Sequence, residues 1–232
     1  PQLLSYETAI GGLSRVVLTD GSTLVLNTET KVNVRMTEAV REITISRGEI
    51  NVDVAHDPLR PLRVIANDKV FEAIGTKFNI HIDESKNIEL LVTEGKVKVK
   101  VGPKPAQDNQ NRSRGLASAL IVGQGERVIL DGSDREVETL VDADIEVELS
   151  WRQGNLVFRG EPLSEALGEI SRYTSVEFEI LDENLRAIQV AGLFKAGDVA
   201  GFLASLEANF GIQYERKGNQ TQLLSSARSD IK

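Results

Sequence analysis

The sequence predicts a mainly β N-terminal domain, with antiparallel sheets stacked in a sandwich-like way, followed by a small α+β module of duplicated β-α-β units. Three observations carry that expectation. From Arg15 to about Leu140, branched apolar residues alternate with polar ones at period two, the pattern of strands that bury one side. At Trp151 the period changes to that of a helix. The pattern that follows then recurs 36 positions later.

The period-two sets follow one another closely. Leu24 and Leu26 are followed by Val32, Val34 and Met36, then Ile43 and Ile45, then Ile50, Val52 and Val54. Phe78, Ile80 and Ile82, then Ile88, Leu90 and Val92, then Val97, Val99 and Val101 continue the series, and Val128 and Leu130 close it. Between them lie Asp20-Gly21, Arg47-Gly48, Glu94-Gly95 and Asp131-Gly132, read as tight turns in which glycine supplies a positive φ. At least nine strands joined in this way indicate an antiparallel sandwich rather than alternating βαβ units. The polar stretch Gly102 to Ser118 has two prolines and no apolar period, so a mobile loop is expected there.

After Trp151, the strand Asn155 to Arg159 precedes a helix whose buried face is Leu163, Ala166, Leu167 and Ile170, with Pro162 in its first turn. Val176, Phe178 and Ile180 return to strand spacing. The repeat matches Phe158 with Phe194, Leu163 with Val199, Leu167 with Leu203, Ile170 with Leu206, Val176 with Ile212 and Phe178 with Tyr214. Its second helix is expected to start after Gly197, with Asp198 as N-cap and Val199, Phe202, Leu203 and Leu206 inward. The expected organisation is residues 1–145 all-β, residues 150–224 the duplicated module, and 225–232 a tail.

Composition narrows the function. With 232 residues, 41% hydrophobic and 27% charged, the chain is long enough for a buried core and of ordinary globular composition. The net charge is −8 and no stripe of Lys and Arg exists, which disfavours a nucleic-acid partner. There is no cysteine and there are two histidines, His56 and His81, so disulfides, thiol nucleophiles and multi-histidine zinc sites are excluded. No cofactor or metal is expected, and the chain is not read as an enzyme. No stretch approaches a membrane span, and a first residue of Pro1 suggests a processed or cut product whose targeting information has been removed.

Each residue that suggests chemistry has a plainer explanation. Gly75-Thr76 lacks the Lys-Ser/Thr and the strand-to-helix context of a phosphate loop, and a tight turn accounts for it. His56 sits in the turn sequence AHDPLRP and His81 alternates with Ile80 and Ile82; both are read as solvated, since no nucleophile motif accompanies them. Asp53 with Asp57, and Asp142 with Asp144, could serve glycoside hydrolysis, but an exposed charged face explains them as well. Trp151, the only tryptophan, is read as packing at the joint between modules rather than as a surface anchor.

Several segments in their order resemble the periplasmic part of FecR-family regulators. They are LTDGSTLVLN (Leu18–Asn27), REITISRGEINVDV (Arg41–Val54), RPLRV followed by FEAIGTKFNIHI (Phe71–Ile82), LLVTEGKVKV (Leu90–Val99) and SWRQGNLVFRGEPLSEALGEISRY (Ser150–Tyr173). Where the family usually has Phe after Arg-Pro, this chain has Leu62. The duplicated module resembles the short module at the amino termini of secretins and TonB-dependent receptors.

The resemblance implies a non-enzymatic signalling adaptor in the periplasm. Its partner would be the periplasmic signalling domain of a TonB-dependent outer-membrane siderophore transporter. An extracytoplasmic-function sigma factor would be bound only by a cytoplasmic part absent from this sequence, and the membrane would be reached only through an absent span. Two other classes compete: a carbohydrate-binding or carbohydrate-cleaving β-sandwich, and a structural module of an envelope secretion complex.

If the partner docks by strand addition, the expected edge is Leu156, Val157, Phe158 and Arg159, or the strand containing Ile188, Gln189, Val190, Gly192, Leu193 and Phe194. The second is favoured because Val190 lies outside the six matched core positions and Gly192 admits a close backbone.

Overall fold

The computed structural model describes residues 3–101, 119–131 and 134–224. The loop expected between Gly102 and Ser118, the turn at Gly132 and the tail from Ser225 lie outside them. The chain divides into two units. One takes in the residues up to Ala9 and Leu13–Ile145, the other Ile10–Gly12 and the residues from Glu146 onward.

The first unit runs through thirteen strands: β1 (Leu3–Glu7), β2 (Ser14–Val17), β3 (Thr23–Leu26), β4 (Lys31–Met36), β5 (Arg41–Asp53), β6 (Leu62–Ala66), β7 (Lys69–Ala73), β8 (Lys77–Ile82), β9 (Ile88–Glu94), β10 (Lys96–Val101), β11 (Ala119–Gly123), β12 (Glu126–Asp131) and β13 (Asp134–Thr139). They form one hydrogen-bonded network that passes through β5. The first half of β5 pairs with β4 and, in parallel, with β6, and that side continues through β7 and β10 to β11, with β1 beyond β4. The second half pairs with β3 and β8, and this side continues through β9 and β12 to β13, with β2 beyond β3. The mainly β expectation holds. The parallel β5–β6 pair departs from an all-antiparallel arrangement.

The two glycine turns read at Arg47-Gly48 and Glu94-Gly95 are corrected by this topology. Neither joins neighbouring strands of a hairpin. At Gly48, φ is +85° and β5 continues from one sheet half to the other. At Gly95, with φ +81°, the chain leaves β9 on one side and enters β10 on the other. The apolar parity shows the same switch: Ile43 and Ile45 are buried in the first half of β5, and Ile50 and Val52 in the second. A one-residue change of parity at a glycine turns the strand while both halves keep their apolar side on the core. Asp20-Gly21 does connect a paired hairpin, β2 with β3.

Between the halves lies one core, with Leu24, Leu26, Ile43, Ile50, Phe71, Phe78, Ile80 and Leu90 fully buried. The outward side of the β10-to-β4 half carries a charge ladder. In register across five strands stand Lys98, Glu72, Arg63, Glu42 and Arg35, alternating in sign, with Arg63–Glu72 at 3.2 Å and Arg35–Glu42 at 2.8 Å. Opposite charges placed directly across strands stabilise a solvated sheet face.

The last strand of the first unit ends at Thr139. Helix α1 spans Asp142–Glu148, and the division between the units falls inside it. A 3₁₀ turn at Ser150–Gln153 buries Trp151 and closes on Gly154 in the left-handed conformation. Then come β14 (Asn155–Pro162), α2 (Leu163–Ser171), β15 (Glu177–Ile180), β16 (Gln189–Lys195), α3 (Val199–Phe210), β17 (Gln213–Lys217) and β18 (Gln220–Leu224). The helices bury the faces expected of them: Leu163, Ala166, Leu167 and Ile170 on α2, and Val199, Phe202, Leu203 and Leu206 on α3. Asp198 caps α3, its side chain accepting from the Gly201 amide at 3.0 Å.

Candidate docking surface

In the second unit, β14 and β16 form a two-stranded antiparallel sheet, while β15, β18 and β17 form a second sheet. The pairing of β14 with β16 expresses the duplication directly. Leu156 stands opposite Phe194 and Phe158 opposite Gly192. Phe158 and Phe194 are repeat equivalents, and so are Leu156 and Gly192, 36 positions apart. The ladder therefore maps one repeat onto the other about a local dyad.

At that dyad three rings meet. The Phe194 and Phe202 centroids are 5.0 Å apart edge to face, and Phe158 lies 5.9 Å from Phe194 and 6.4 Å from Phe202. Gly192 is fitted to this cluster. A Cβ there would stand 3.1 Å from Phe194 Cε2, at a φ of +152°. The glycine read as an opening for a partner's backbone makes room for a ring of its own chain.

The residues expected to dock a partner separate by face. Leu156 and Phe158 point into the core, as does Val190, only 2% exposed. Val190 lies outside the six matched positions and is nonetheless buried. It faces inward because it stands four residues before Phe194 on β16, an even spacing that puts both on one side; the register shift between Arg159 and Glu161 has its extra residue on β14 and leaves that alternation intact. Ile188 precedes β16 and is half-buried, its carbonyl accepting from the Leu163 amide at 2.8 Å. Val157, Arg159 and Leu193 lie on the other face, where Leu193 is 66% exposed. Gln189 is exposed at the start of β16. Lys195, exposed on the same face as Leu193, was not among the expected residues, although its two-residue spacing from Leu193 places it there.

The residues weighed for chemistry are engaged otherwise. Asp57 contacts Arg60 at 2.8 Å, and Asp53 lies 3.7 Å from Lys77, whose Nζ also meets Glu94 at 2.9 Å. The Asp57 carboxyl sits below its ordinary value: desolvation works against this, and the Arg60 side-chain hydrogen bond, the Leu59 and Arg60 amides and the Arg60 charge together outweigh it. Asp142 and Asp144 lie in the first turn of α1. Gly75 lies between β7 and β8, and a Cβ there would stand 2.5 Å from His56 Nδ1, so a close side chain and not a phosphate explains the glycine. His56 is exposed and His81 half-buried. Phe71 and Phe78 are fully buried and so offer no stacking platform for a sugar. Among the described residues, no group of three His, Cys, Asp or Glu is placed to hold a metal, and no helix is long and apolar enough to cross a membrane.

Residues 5–98 match the family described as FecR protein, and residues 155–223 match FecR, C-terminal. The chain belongs to the FecR family. No curated protein matches this FecR-family chain. Two crystal structures of a candidate anti-sigma factor from Parabacteroides distasonis, at 2.50 and 1.65 Å, share its fold. They superpose with a TM-score of 0.71 at 21% and 20% identity, covering 97% of this chain and 100% of that one. The FecR match in the first unit thus ends before β11, and the C-terminal match takes in nearly all of the duplicated module.

Proposed function

We propose that this FecR-family chain is the signal-receiving, periplasmic part of a membrane-anchored sigma-factor regulator. The observation that carries the reading is the presence, in order on one chain, of the FecR region and the FecR C-terminal region. The likeness of its fold to a candidate anti-sigma factor over 97% of the chain supports it. In this reading the second unit acts as the short module of secretins and TonB-dependent receptors does, by binding protein. Its partner is the N-terminal signalling domain of a TonB-dependent outer-membrane siderophore transporter, and the output is control of an extracytoplasmic-function sigma factor and of iron-uptake transcription.

The chemistry available fits an adaptor. Among the described residues the carboxylates weighed for hydrolysis are spent in ion pairs or lie on a helix turn, and the second unit ends in short strands with free outer edges on β14, β16, β15 and β17. Such edges expose the backbone groups that strand addition uses. Isothermal titration of the chain with purified periplasmic signalling domains of outer-membrane receptors from the same genome tests the proposal. One of them should bind with one-to-one stoichiometry. If none binds, the proposed receptor partner is wrong.

A further inference from the structure

We propose that the open edge of β15 takes an extended, basic segment of a protein partner as an added strand, its lysines or arginines across from Glu177 and Glu179 and its apolar side chains beside Phe178 and Ile180. This rests on the docking role proposed for the second unit and says which edge is used and what it reads.

β15 ends its sheet, paired in parallel with β18 and with no strand beyond it. The Glu177 amide donates to the Asn219 carbonyl at 3.0 Å, and the Leu181 amide to the Leu223 carbonyl at 3.1 Å. Successive residues of a strand turn their N–H and C=O to opposite sides, so those of Phe178 and Ile180 face away from β18. The Val176 amide before them is held by the Thr174 hydroxyl at 3.1 Å. Side chains alternate as well. Phe178 and Ile180 stand opposite the buried Thr221 and Leu223, while Glu177 and Glu179 stand opposite Gln220 and Gln222 on the other face.

The other strand edges of this unit carry features that blunt pairing. β14 has its bulge at Gly160 and ends in Pro162, β16 contains Gly192 at a φ of +152°, and β17 exposes Arg216 and Lys217 in succession. β15 has no proline, glycine, lysine or bulge. Charge then selects the occupant. Glu177 is exposed, and Glu179 accepts from Gln220 Nε2 at 3.1 Å and Gln222 Nε2 at 2.7 Å, neutral donors that leave its charge in place. Among the described residues neither carboxylate pairs with a cation: Lys217, the cation of this face, stands two strands away and binds Gln222 Oε1 at 2.6 Å. Antiparallel pairing with β15 of a second copy would set acid against acid, since Glu177 and Glu179 share one face. The same acids repel an anionic bilayer or a nucleic acid. A strand with lysine or arginine at alternate positions instead places opposite charges directly across.

The test is an amide-resolved NMR titration of the full chain with a peptide alternating lysine and valine. Parallel titrations use the same peptide with glutamate for every lysine, and the lysine peptide with its backbone nitrogens methylated, which keeps the charge but donates nothing to the edge. The proposal expects shifts and slowed exchange centred on Phe178 and Ile180, binding that weakens as salt rises, and much weaker binding of both control peptides. Glu177→Gln with Glu179→Gln should weaken binding by about tenfold. Arg216→Gln with Lys217→Gln, on β17, should not weaken it. Shifts centred on β14, β16 or β17, a control peptide that binds as tightly as the lysine peptide, unchanged affinity in the Glu177 and Glu179 double variant, or no binding at all would each overturn it. A receptor domain that binds this double variant as tightly as the parent leaves the adaptor function standing and removes this edge. A lysine peptide that docks here when no receptor domain binds does the reverse.

Discussion

The Arg41 guanidinium and the Asp20 carboxylate meet at 3.1 Å with their side chains 1% and 6% exposed. Arg41 also donates from Nε to the Arg60 carbonyl at 2.6 Å and from Nη1 to the Ala55 carbonyl at 2.8 Å. Asp20 accepts from the Ser22 amide and hydroxyl at 3.0 and 2.7 Å, and the Ser22 hydroxyl accepts from the Ala55 amide. One ion pair therefore ties the β2–β3 turn, the start of β5 and the segment leading to β6.

Removing one partner strands the other charge in the core. Arg41→Ala is expected to cost about 3 to 5 kcal/mol. Arg41 Nη2 is buried with no partner, so the pair is imperfectly satisfied. Arg41→Met combined with Asp20→Leu should therefore recover much of that loss. Denaturant unfolding of the three proteins, followed by amide exchange in β5, checks both statements. Equal losses in the single and double variants would show that the pair itself is strongly stabilising.

Gly48 offers a sharper contrast. A Cβ there would stand 2.3 Å from Thr30 Oγ1 and 2.6 Å from Thr30 Cα, at a φ of +85°. Thr30 cannot yield, because its Oγ1 donates to the Thr28 carbonyl at 3.0 Å and accepts from the Glu49 amide at 2.9 Å. Gly48→Ala should cost more than the strain of about 1 to 3 kcal/mol that a positive φ alone imposes. Gly154→Ala is the control, with φ +76° and nothing within 4 Å of the added Cβ. It should show strain only, and the difference between the two melting shifts measures the collision.

In the second unit, Phe202→Ala removes the ring that meets both Phe158 and Phe194, and is expected to cost about 3 to 5 kcal/mol. Asp198→Ala, which removes only the cap of α3, should cost about 1 kcal/mol. Trp151, the single tryptophan, is buried in this unit, so its fluorescence follows the unfolding of this unit specifically. Equal effects of the two substitutions on the Trp151 transition would contradict the central place given to the aromatic cluster.

Acid should loosen the charge ladder. Partial burial alone would raise the Glu72 carboxyl, but the Lys100 hydrogen bond and the charges of Lys100, Arg63 and Lys98 outweigh it and hold it below 4.5. Glu7 is lowered too, first by its hydrogen bond to Arg47 and then by Lys31. A depressed folded-state value means that the stabilisation is present above the unfolded value and is lost as pH falls through the folded one. Glu72→Gln should thus be less stable than the parent at pH 7, the gap closing below about pH 4.5. Amide exchange of β7 across that range reads the gap. A difference that stays constant with pH would assign the effect to packing.

Local pattern by itself determined the strand content of the first unit, the two amphipathic helices, the Asp198 cap and the 36-residue duplication, because each is written in the spacing of neighbouring residues. Tertiary structure alone decided which strands are neighbours. The stretch around Gly48 reads as two strands and a turn, yet it is one strand crossing between sheet halves, since positive φ and a parity change look alike in both cases. The same holds at the candidate surface. Sequence placed Val190, outside the six matched positions, and Gly192 at a docking edge, whereas the pairing of β16 with β14 put the side carrying Val190 and Phe194 inward and the Phe194 ring claimed the space over Gly192. Leu193 and Lys195 came to share a face with Val157 and Arg159 only through that pairing. Period-two alternation fixes which residues of one strand share a side, but not which strand lies beside it or which side meets water.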